Sequence, residues 1–337
     1  MAADEPSEFE LIERFRRLIG APRAPLKLGA GDDAALLSLP AGQELVVSTD
    51  GFLQGVDFDF KLLAPQDSGR RCAVAALSDL AAMAAEPLAL LVHLTVPRRG
   101  RADIAEALLQ GLRDGGAEYG AQIAGGDTTG GGERWALTLT ALGHAESYRA
   151  TRRAGAAPGD ELWVTGEPGW VAIGLELMQR KRNLRDPYRS KAIERFSRPQ
   201  ARIQEALWLT GRGLVKAMID ISDGLAGDLG HLCEAGKVAA RLTPGAAPDT
   251  IVAALGEEQG WQAMLFSGEE FELLFASPAG KINHVLVQQF EQQFGLRLRR
   301  LGGFVAGSGI QRQLPDGELV EILARGFDHL HPERGSA

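Results

Sequence analysis

Apolar residues recur along this chain at helical spacing in some stretches and in short or alternating runs in others, and the switches between the two mark out its elements. Ser7 and Glu10 have the spacing of a capping box, and Phe9, Ile12, Phe15 and Ile19 follow at helical intervals, which predicts an opening amphipathic helix. Leu45-Val46-Val47 is a short β-like run ending at Ser48-Thr49-Asp50. A helix capped by Asp67 or Ser68 is predicted to reach about Ala85, carrying Ser78-Asp79 on it. Leu88 to Val96 reads as a buried strand halted by Pro97, and Arg101 to Tyr119 as a helix. Gln122-Ile123-Ala124 then delivers the chain to Gly125-Gly126-Asp127, and Trp135 to Leu142 alternates like a further strand.

A turn-rich stretch from Arg152 to Asp160 separates this block from a second one that echoes it. Glu161 to Thr165 reads as a strand, Trp170 to Arg180 and Pro199 to Leu209 as helices, and Lys216 to Ile221 as a strand entering Ser222-Asp223-Gly224. A helix over Leu225 to Ala235 and strands over Phe271 to Phe275 and Leu296 to Val305 complete the pattern. At 337 residues the chain exceeds the size at which a single core stops growing. Two α/β (α+β) domains, residues 1–150 and 151–337, are therefore expected, with mixed sheets flanked by helices and a cleft between the domains.

Acidic residues gather where these runs end, beside glycine or hydroxyl residues: Gly31-Asp32-Asp33, Ser48-Thr49-Asp50, Ser78-Asp79, Gly125-Gly126-Asp127-Thr128-Thr129 and Asp220-Ile221-Ser222-Asp223-Gly224. Carboxylates so placed suit a shared cleft better than a core, and together they call for cations. Hard oxygen donors favour Mg²⁺, which usually keeps some waters and bridges one or two carboxylates to nucleotide phosphates. Asp79 lies between Ala75-Ala76-Leu77 and Leu80-Ala81-Ala82-Met83, where a carboxylate needs a partner. In an extended chain Asp220 and Ser222 share one side, and Asp223 opens the next helix, where it can cap the helix or leave the helix N-terminus to a phosphate. Each segment alone is also compatible with an ordinary solvated turn or cap.

Other chemistries fit less well. Gly29-Ala30-Gly31-Asp32-Asp33-Ala34 matches a loose dinucleotide pattern but lacks a clear preceding strand, and neither Gly236-Lys237 nor Gly280-Lys281 is followed by the Ser or Thr of a Walker loop. Asp57-Phe58-Asp59 does not continue as an EF-hand, and His93, His144, His231, His284, His329 and His331 form no zinc motif. Cys72 and Cys233 have no paired spacing and read as buried thiols in a reducing compartment. The balance of 44 acidic against 36 basic residues gives a net charge of −8, which argues against a nucleic-acid partner. No apolar run reaches the roughly 18 residues of a spanning helix, and Met1 to Glu10 is acidic, so no membrane association and a cytoplasmic location are expected. Hydrophobic residues at 45% and charged residues at 24% are ordinary for a globular chain and leave room for a full core.

Taken in order, Gly29 to Ala34, Ser48-Thr49-Asp50, Leu77 to Met83, Gly125 to Thr129, Asp220 to Leu225 and Ser267-Gly268-Glu269-Glu270-Phe271-Glu272-Leu273 resemble the thiamine-monophosphate kinase family. That family shares a superfamily with aminoimidazole ribonucleotide synthetase, selenophosphate synthetase and a hydrogenase-maturation protein. The resemblance spans about Glu8 to His329 and implies an aminoimidazole ribonucleotide synthetase-like fold, a homodimer built through the N-terminal domains, and ATP-dependent phosphorylation of thiamine monophosphate with several Mg²⁺ ions. By position it implies Asp33, Ser48, Thr49, Asp50, Asp79, Asp127, Asp220 and Asp223 as metal ligands. Gly126, Asp127, Arg153 and Ser222 match ATP contacts, and Asp57, Glu269 and Phe327 match contacts to the thiamine substrate. Two departures stand out: the family usually reads Gly-Val-His-Phe at Gly55-Val56-Asp57-Phe58, and Glu-Asp-Tyr-Glu at Glu269-Glu270-Phe271-Glu272.

Such chemistry needs no general base, because the accepting phosphate oxygen is already ionised, and positioning with charge compensation does most of the work. Ser267 to Phe275 taken alone reads as a solvated strand entry, and Arg325-Gly326-Phe327-Asp328-His329 sets an aromatic ring where it covers a heterocycle or seals a core edge. Two other activities remain open from sequence: amide activation of the aminoimidazole ribonucleotide synthetase type, and a non-catalytic Mg–nucleotide sensor. Selenophosphate synthesis is disfavoured, since Cys72 is neither early enough nor in a glycine-rich loop.

Overall fold

In the computed structural model, which describes residues 7–327, the capping box at Ser7 forms: the Ser7 hydroxyl accepts from the Glu10 N–H, and the Glu10 carboxylate accepts from the Ser7 N–H. Asp328, His329 and His331 lie outside the described residues. Helix α1 (Glu8–Ile19) buries Leu11 and Phe15, whereas Phe9, expected on the apolar face, is 81% exposed. Two positions on a helix are about 200° apart, so burying Leu11 turns Phe9 outward.

The chain divides into two compact units, Met1–Leu80 with Ala85–Ala150, and Ala81–Ala84 with Thr151–Ala337. In the first, β1 (Leu26–Leu28) and β2 (Leu36–Leu37) pair antiparallel and hold the Gly29 to Ala35 loop between them. Then follow β3 (Gln43–Leu53), α2 (Pro65–Ala82), β4 (Glu86–Val96), α3 (Ala102–Ala117), β5 (Gln122–Gly130) and β6 (Ala136–Glu146). The sheet order is β3-β6-β4-β5, with β4 and β5 parallel and the other pairs antiparallel. Helix α2 starts at Pro65, earlier than expected, since proline suits a first turn where its missing N–H has no intrahelical partner.

Strand β3 is longer than the apolar run predicted. Its pairing with β6 continues through Ser48↔Ala141, Thr49↔Thr140 and Asp50↔Leu139, so Ser48-Thr49-Asp50 lies mid-strand and is no helix cap. Likewise Gly125-Gly126-Asp127 is strand, paired with Leu91, Val92 and His93. Ladder hydrogen bonds outweighed the turn preference of both segments.

The second unit contains β7 (Glu161–Thr165), α4 (Trp170–Met178), α5 (Tyr188–Ser197), α6 (Ile203–Gly211), β8 (Ala217–Asp220), α7 (Leu225–Gly236) and β9 (Ala239–Leu242). It continues through α8 (Asp249–Leu255), α9 (Glu257–Phe266), β10 (Leu273–Ser277), α10 (His284–Phe294), β11 (Leu298–Val305), β12 (Ile310–Gln313) and β13 (Leu319–Ile322). Its seven strands run β13-β12-β9-β11-β7-β10-β8, all antiparallel pairs except β9 with β12. Central β7 and β10 are buried nearly throughout, which explains their continuous apolar sequences. Leu225, Leu229 and Leu232 of α7 and Trp261 and Met264 of α9 join Ile219, Leu274 and Phe304 in one core. Both units are mixed α/β. No helix among the described residues is long and apolar enough to cross a membrane.

Helices α2 and α3 touch at glycine: a Cβ on Gly111 would sit 1.8 Å from the Gln66 carbonyl oxygen, and one on Gly69 would sit 2.1 Å from that of Leu108. Gly111→Ala must push the helices apart and is expected to cost about 1–3 kcal/mol of stability. An unshifted denaturant midpoint would contradict this packing.

Candidate active site

Strand alternation sorts the acids of the first unit. Ser48 and Asp50 fall on the sheet face paired through buried Ala141 and Leu139, and Thr49 falls on the other. Helix α2 brings Asp79 against the first pair, where the Ser48 hydroxyl donates to Asp79 Oδ2. This supplies the partner that the apolar neighbourhood of Asp79 demands. Thr49 instead donates to the Leu139 carbonyl at 3.2 Å and lies 3.4 Å from the Thr140 hydroxyl.

Asp127 pairs across β4 with His93, which pairs with Thr138 and through it with Gly51. That register puts Asp127 on the Thr49 face, away from Ser48 and Asp50. Its carboxylate is 3.9 Å from His93 Nε2, and the same nitrogen is 3.0 Å from the Thr129 hydroxyl. A Cβ on Gly126 would meet the Val92 carbonyl oxygen at 1.8 Å, so only glycine fits there. Since β5 is an edge strand, alternate amides point away from β4 and are available to an anion. Asp33 lies in the exposed turn between β1 and β2, where its N–H donates to Asp32 Oδ1.

In the second unit a different set converges. Asp220 ends β8 and is buried, Ser222 and Asp223 follow, and Gly224, with φ 116°, occupies the position before α7. Gly224 has no side chain with which to cap that helix. The Asp228 carboxylate reaches back from the first turn of α7 to accept from Ser222 N at 3.0 Å and Asp223 N at 3.2 Å. Burial, then the charges of Asp220 and Asp223, push Asp228 up to about 8.

Three further segments meet this loop. Residues 267–272 form a strap whose Glu269 N–H donates to Ser222 O at 2.7 Å and whose Phe271 N–H donates to Ile221 O at 2.9 Å. The Phe327 N–H donates to Asp223 O at 3.0 Å. Arg153 is exposed, and its neighbour Arg152 accepts through its carbonyl from Met218 N on β8, the strand that ends at Asp220. Asp220, Ser222, Asp223, Glu269 and Phe327 are thus gathered by backbone bonds around one loop.

The strap is not a solvated strand entry. Glu270 is 6% and Glu272 2% exposed. Glu272 takes both Arg202 Nε (2.8 Å) and Nη2 (2.6 Å) in a bidentate pair and the Thr165 hydroxyl at 2.6 Å. These partners lie 70 and 107 residues away in sequence, beyond any local pattern. Arg16 was also missed: a Cβ on Gly31 would meet its guanidinium at 2.4 Å, and Arg16 lines, with Phe15, Ala30, Gly126 and Asp127, a cavity of about 110 Å³.

Among the described residues no three His, Cys, Asp or Glu side chains form a ready metal cage. The donor sets do fit an ion that needs only one or two carboxylates and completes its shell with water and phosphate oxygens.

The chain matches the family model for the AIR synthase related protein N-terminal domain over residues 31–145 and that for the C-terminal domain over residues 157–312. It is 35% identical to the thiamine-monophosphate kinase of Escherichia coli K12 over 329 residues, covering 96% of this chain and 98% of the relative. The chain belongs to the thiamine-monophosphate kinase family. The crystal structure of the Stenotrophomonas maltophilia K279a thiamine-monophosphate kinase superposes with a TM-score of 0.79 at 32% identity, covering 93% of this chain and 98% of that one. AaThiL complexed with AMPPCP and TMP superposes with a TM-score of 0.73 at 25% identity, covering 96% of each chain.

For a member of the thiamine-monophosphate kinase family, the Asp57 position has a local duty here. Its Oδ2 accepts from Leu53 N at 2.7 Å and closes the turn after β3. Glu270 has a pH signature. Burial pushes it from 4.5 up to about 7, against hydrogen bonds from Ser267 and the Val171 and Gly169 amides. Between those two values the folded chain keeps a proton that the unfolded chain has released. The stability this contributes is complete below the lower value and is lost as pH rises through the upper, roughly 3 kcal/mol in all. Glu270→Gln keeps an oxygen acceptor but cannot ionise, so it is expected to lose less melting temperature between about pH 5 and about pH 8 than the unaltered protein. Equal losses in paired thermal scans would contradict this.

Proposed function

We propose that this protein phosphorylates thiamine monophosphate with ATP, giving thiamine diphosphate by direct in-line transfer without a phosphoenzyme. The observation that carries the reading is the junction in the second unit, where backbone hydrogen bonds tie the Asp220-Ser222-Asp223 loop to the segments bearing Glu269 and Phe327. Oxygen donors for a cation there adjoin a carboxylate and an aromatic ring, the two groups suited to the positively charged ring of thiamine. Relatives of this length named thiamine-monophosphate kinase, and the related AaThiL complexed with AMPPCP and TMP, support the same substrates.

Mg²⁺, when bound, supplies the charge neutralisation that lets two phosphate-bearing anions approach, and Asp33, Ser48, Thr49, Asp50, Asp79, Asp127, Asp220 and Asp223 are the residues proposed to hold several such ions. Gly126 offers main-chain donors to ATP without a side chain in the way, while Asp127, Arg153 and Ser222 complete the nucleotide contacts. Arg153 meets phosphate as a permanent cation. Asp57, Glu269 and Phe327 orient thiamine monophosphate, so that its phosphate oxygen, already ionised, is the attacking atom. Most of the nucleotide chemistry and dimerisation are assigned to residues 1–150, and completion of the nucleotide and thiamine contacts to residues 151–337.

A cytoplasmic homodimer is part of this proposal. Leu45 and Val47 are 50% and 54% exposed on one face of β3, an eleven-residue edge strand. A long apolar edge of this kind invites pairing unless something covers it, and a second copy is the cover proposed. Cys72 and Cys233 are both buried thiols, in keeping with a reducing compartment.

Incubation with ATP, Mg²⁺ and thiamine monophosphate is expected to yield thiamine diphosphate, and Asp127→Asn to cut turnover by on the order of 100-fold or more. ATP binding without product, or unchanged kinetics in the variant, would overturn the assignment. Val47→Lys is expected to shift the protein from dimer to monomer in sedimentation; an unaltered dimer would remove this face from the interface.

A further inference from the structure

Among the described residues, six non-glycine residues have positive φ, and two of them, Glu269 (55°) and Phe271 (51°), flank Glu270 in the strap. Left-handed backbone at a bulky residue is unfavourable and persists only where the surroundings hold it. Those surroundings are specific. Glu270 Oε1 accepts from Gly169 N at 2.7 Å, Val171 N at 3.0 Å and the Ser267 hydroxyl at 2.5 Å. Ser267 Oγ in turn accepts from Ala172 N at 2.9 Å. Three otherwise orphaned amides at the start of α4 are thereby satisfied from the strap, although the residue before α4, Gly169, has no side chain to cap it.

On the other side of the strap, Glu272 is fixed by Arg202 and Thr165, and its carbonyl accepts from Ile221 N at 2.8 Å. A Cβ on Gly268 would sit 2.9 Å from the Ser222 carbonyl oxygen, so the strap lies tightly along the acidic loop. Phe271 is 3% exposed, and Glu270 and Glu272 are buried with it, which leaves Glu269 half-buried as the outermost acid of the run.

We propose that Glu270 is a positioning residue for the thiamine monophosphate subsite: by accepting three hydrogen bonds from α4 and Ser267 it holds Glu269 in its left-handed conformation against the Asp220–Asp223 loop. The proposal rests on the reading of Glu269 as a substrate contact. What matters is the oxygen acceptor and not the charge, because all three donors converge on one oxygen that a glutamine also carries. Neighbouring Glu272 cannot substitute, being turned to Arg202.

The test compares Glu270→Ala, Glu270→Gln and Glu269→Gln in the full-length protein, by steady-state kinetics with each substrate varied and by hydrogen exchange without substrates. Glu270→Ala is expected to raise the KM for thiamine monophosphate by about tenfold or more, with a smaller change in the KM for ATP, while Glu270→Gln stays within about twofold to threefold of the unaltered enzyme. The amides of Glu269 and Phe271 are expected to exchange faster in Glu270→Ala. Unchanged exchange overturns the clamp. A raised KM in Glu269→Gln with an unchanged one in Glu270→Ala overturns the positioning role alone, and an unchanged KM in Glu269→Gln overturns the substrate reading on which it rests. Equal losses for both substrates in the alanine and glutamine variants overturn the proposal in favour of a general loss of structure. Should Glu270→Ala fail to fold, Ser267→Ala, which removes two of the same hydrogen bonds, is expected to show the same preference for the thiamine monophosphate KM at smaller size, and no such preference overturns it.

Discussion

A carboxylate surrounded by apolar groups costs several kcal/mol unless donors or a cation meet it, and both units of this chain are arranged by how they meet that cost. Asp79, half-buried in α2 between the buried Leu77 and Leu80, is met by one hydroxyl from β3. Asp228 is met by two loop amides, Glu270 by two helix amides and a hydroxyl, and Glu272 by a guanidinium and a hydroxyl. Each satisfied acid fixes a piece of backbone from which another acid departs: Asp228 fixes Ser222 and Asp223, and Glu270 and Glu272 fix Glu269. The inner acids are structural, and the outer ones are those proposed to meet ligands.

Close backbone approach is the second device. Glycine at 126 lets β5 lie against the Val92 carbonyl, and glycine at 268 lets the strap lie against Ser222. A side chain at either place would move an acid away from its neighbours. Rigid presentation suits phosphoryl transfer, where little covalent work falls to the protein and small errors of position are costly. The energetic expense of the strained strap is therefore met by the contacts that its own Glu270 and Glu272 make with α4 and Arg202.

Elements with strong local codes were legible. The Ser7 box, the strand over Glu161 to Thr165 and the helix starting at Leu225 carry their own signals. Elements made by partners were not. Helix α5 is polar, with Arg189, Ser190, Lys191, Glu194 and Arg195 among its ten residues, and shows mainly Ala192 and Phe196 to the core. Strands β12 and β13 are short and lie at the margin of the sheet, so their apolar alternation is weak. In the site, the acidic segments stood out as a pattern, yet their faces did not: the extra residues of β3 placed Thr49 opposite Ser48, and pairing of β5 placed Asp127 beside His93. Glu270 and Glu272 read as part of a solvated strand entry because their partners come from other elements, and Asp228 carried no signal of its own.

Aspartate-held divalent ions are proposed to let this chain receive two phosphate anions. Equilibrium titration of ATP into the protein with and without Mg²⁺ tests this most directly. Binding is expected to be strong with Mg²⁺ and to weaken by at least about tenfold when the ion is chelated, since the acidic loops then repel the nucleotide. Equal affinity in the two titrations would contradict it.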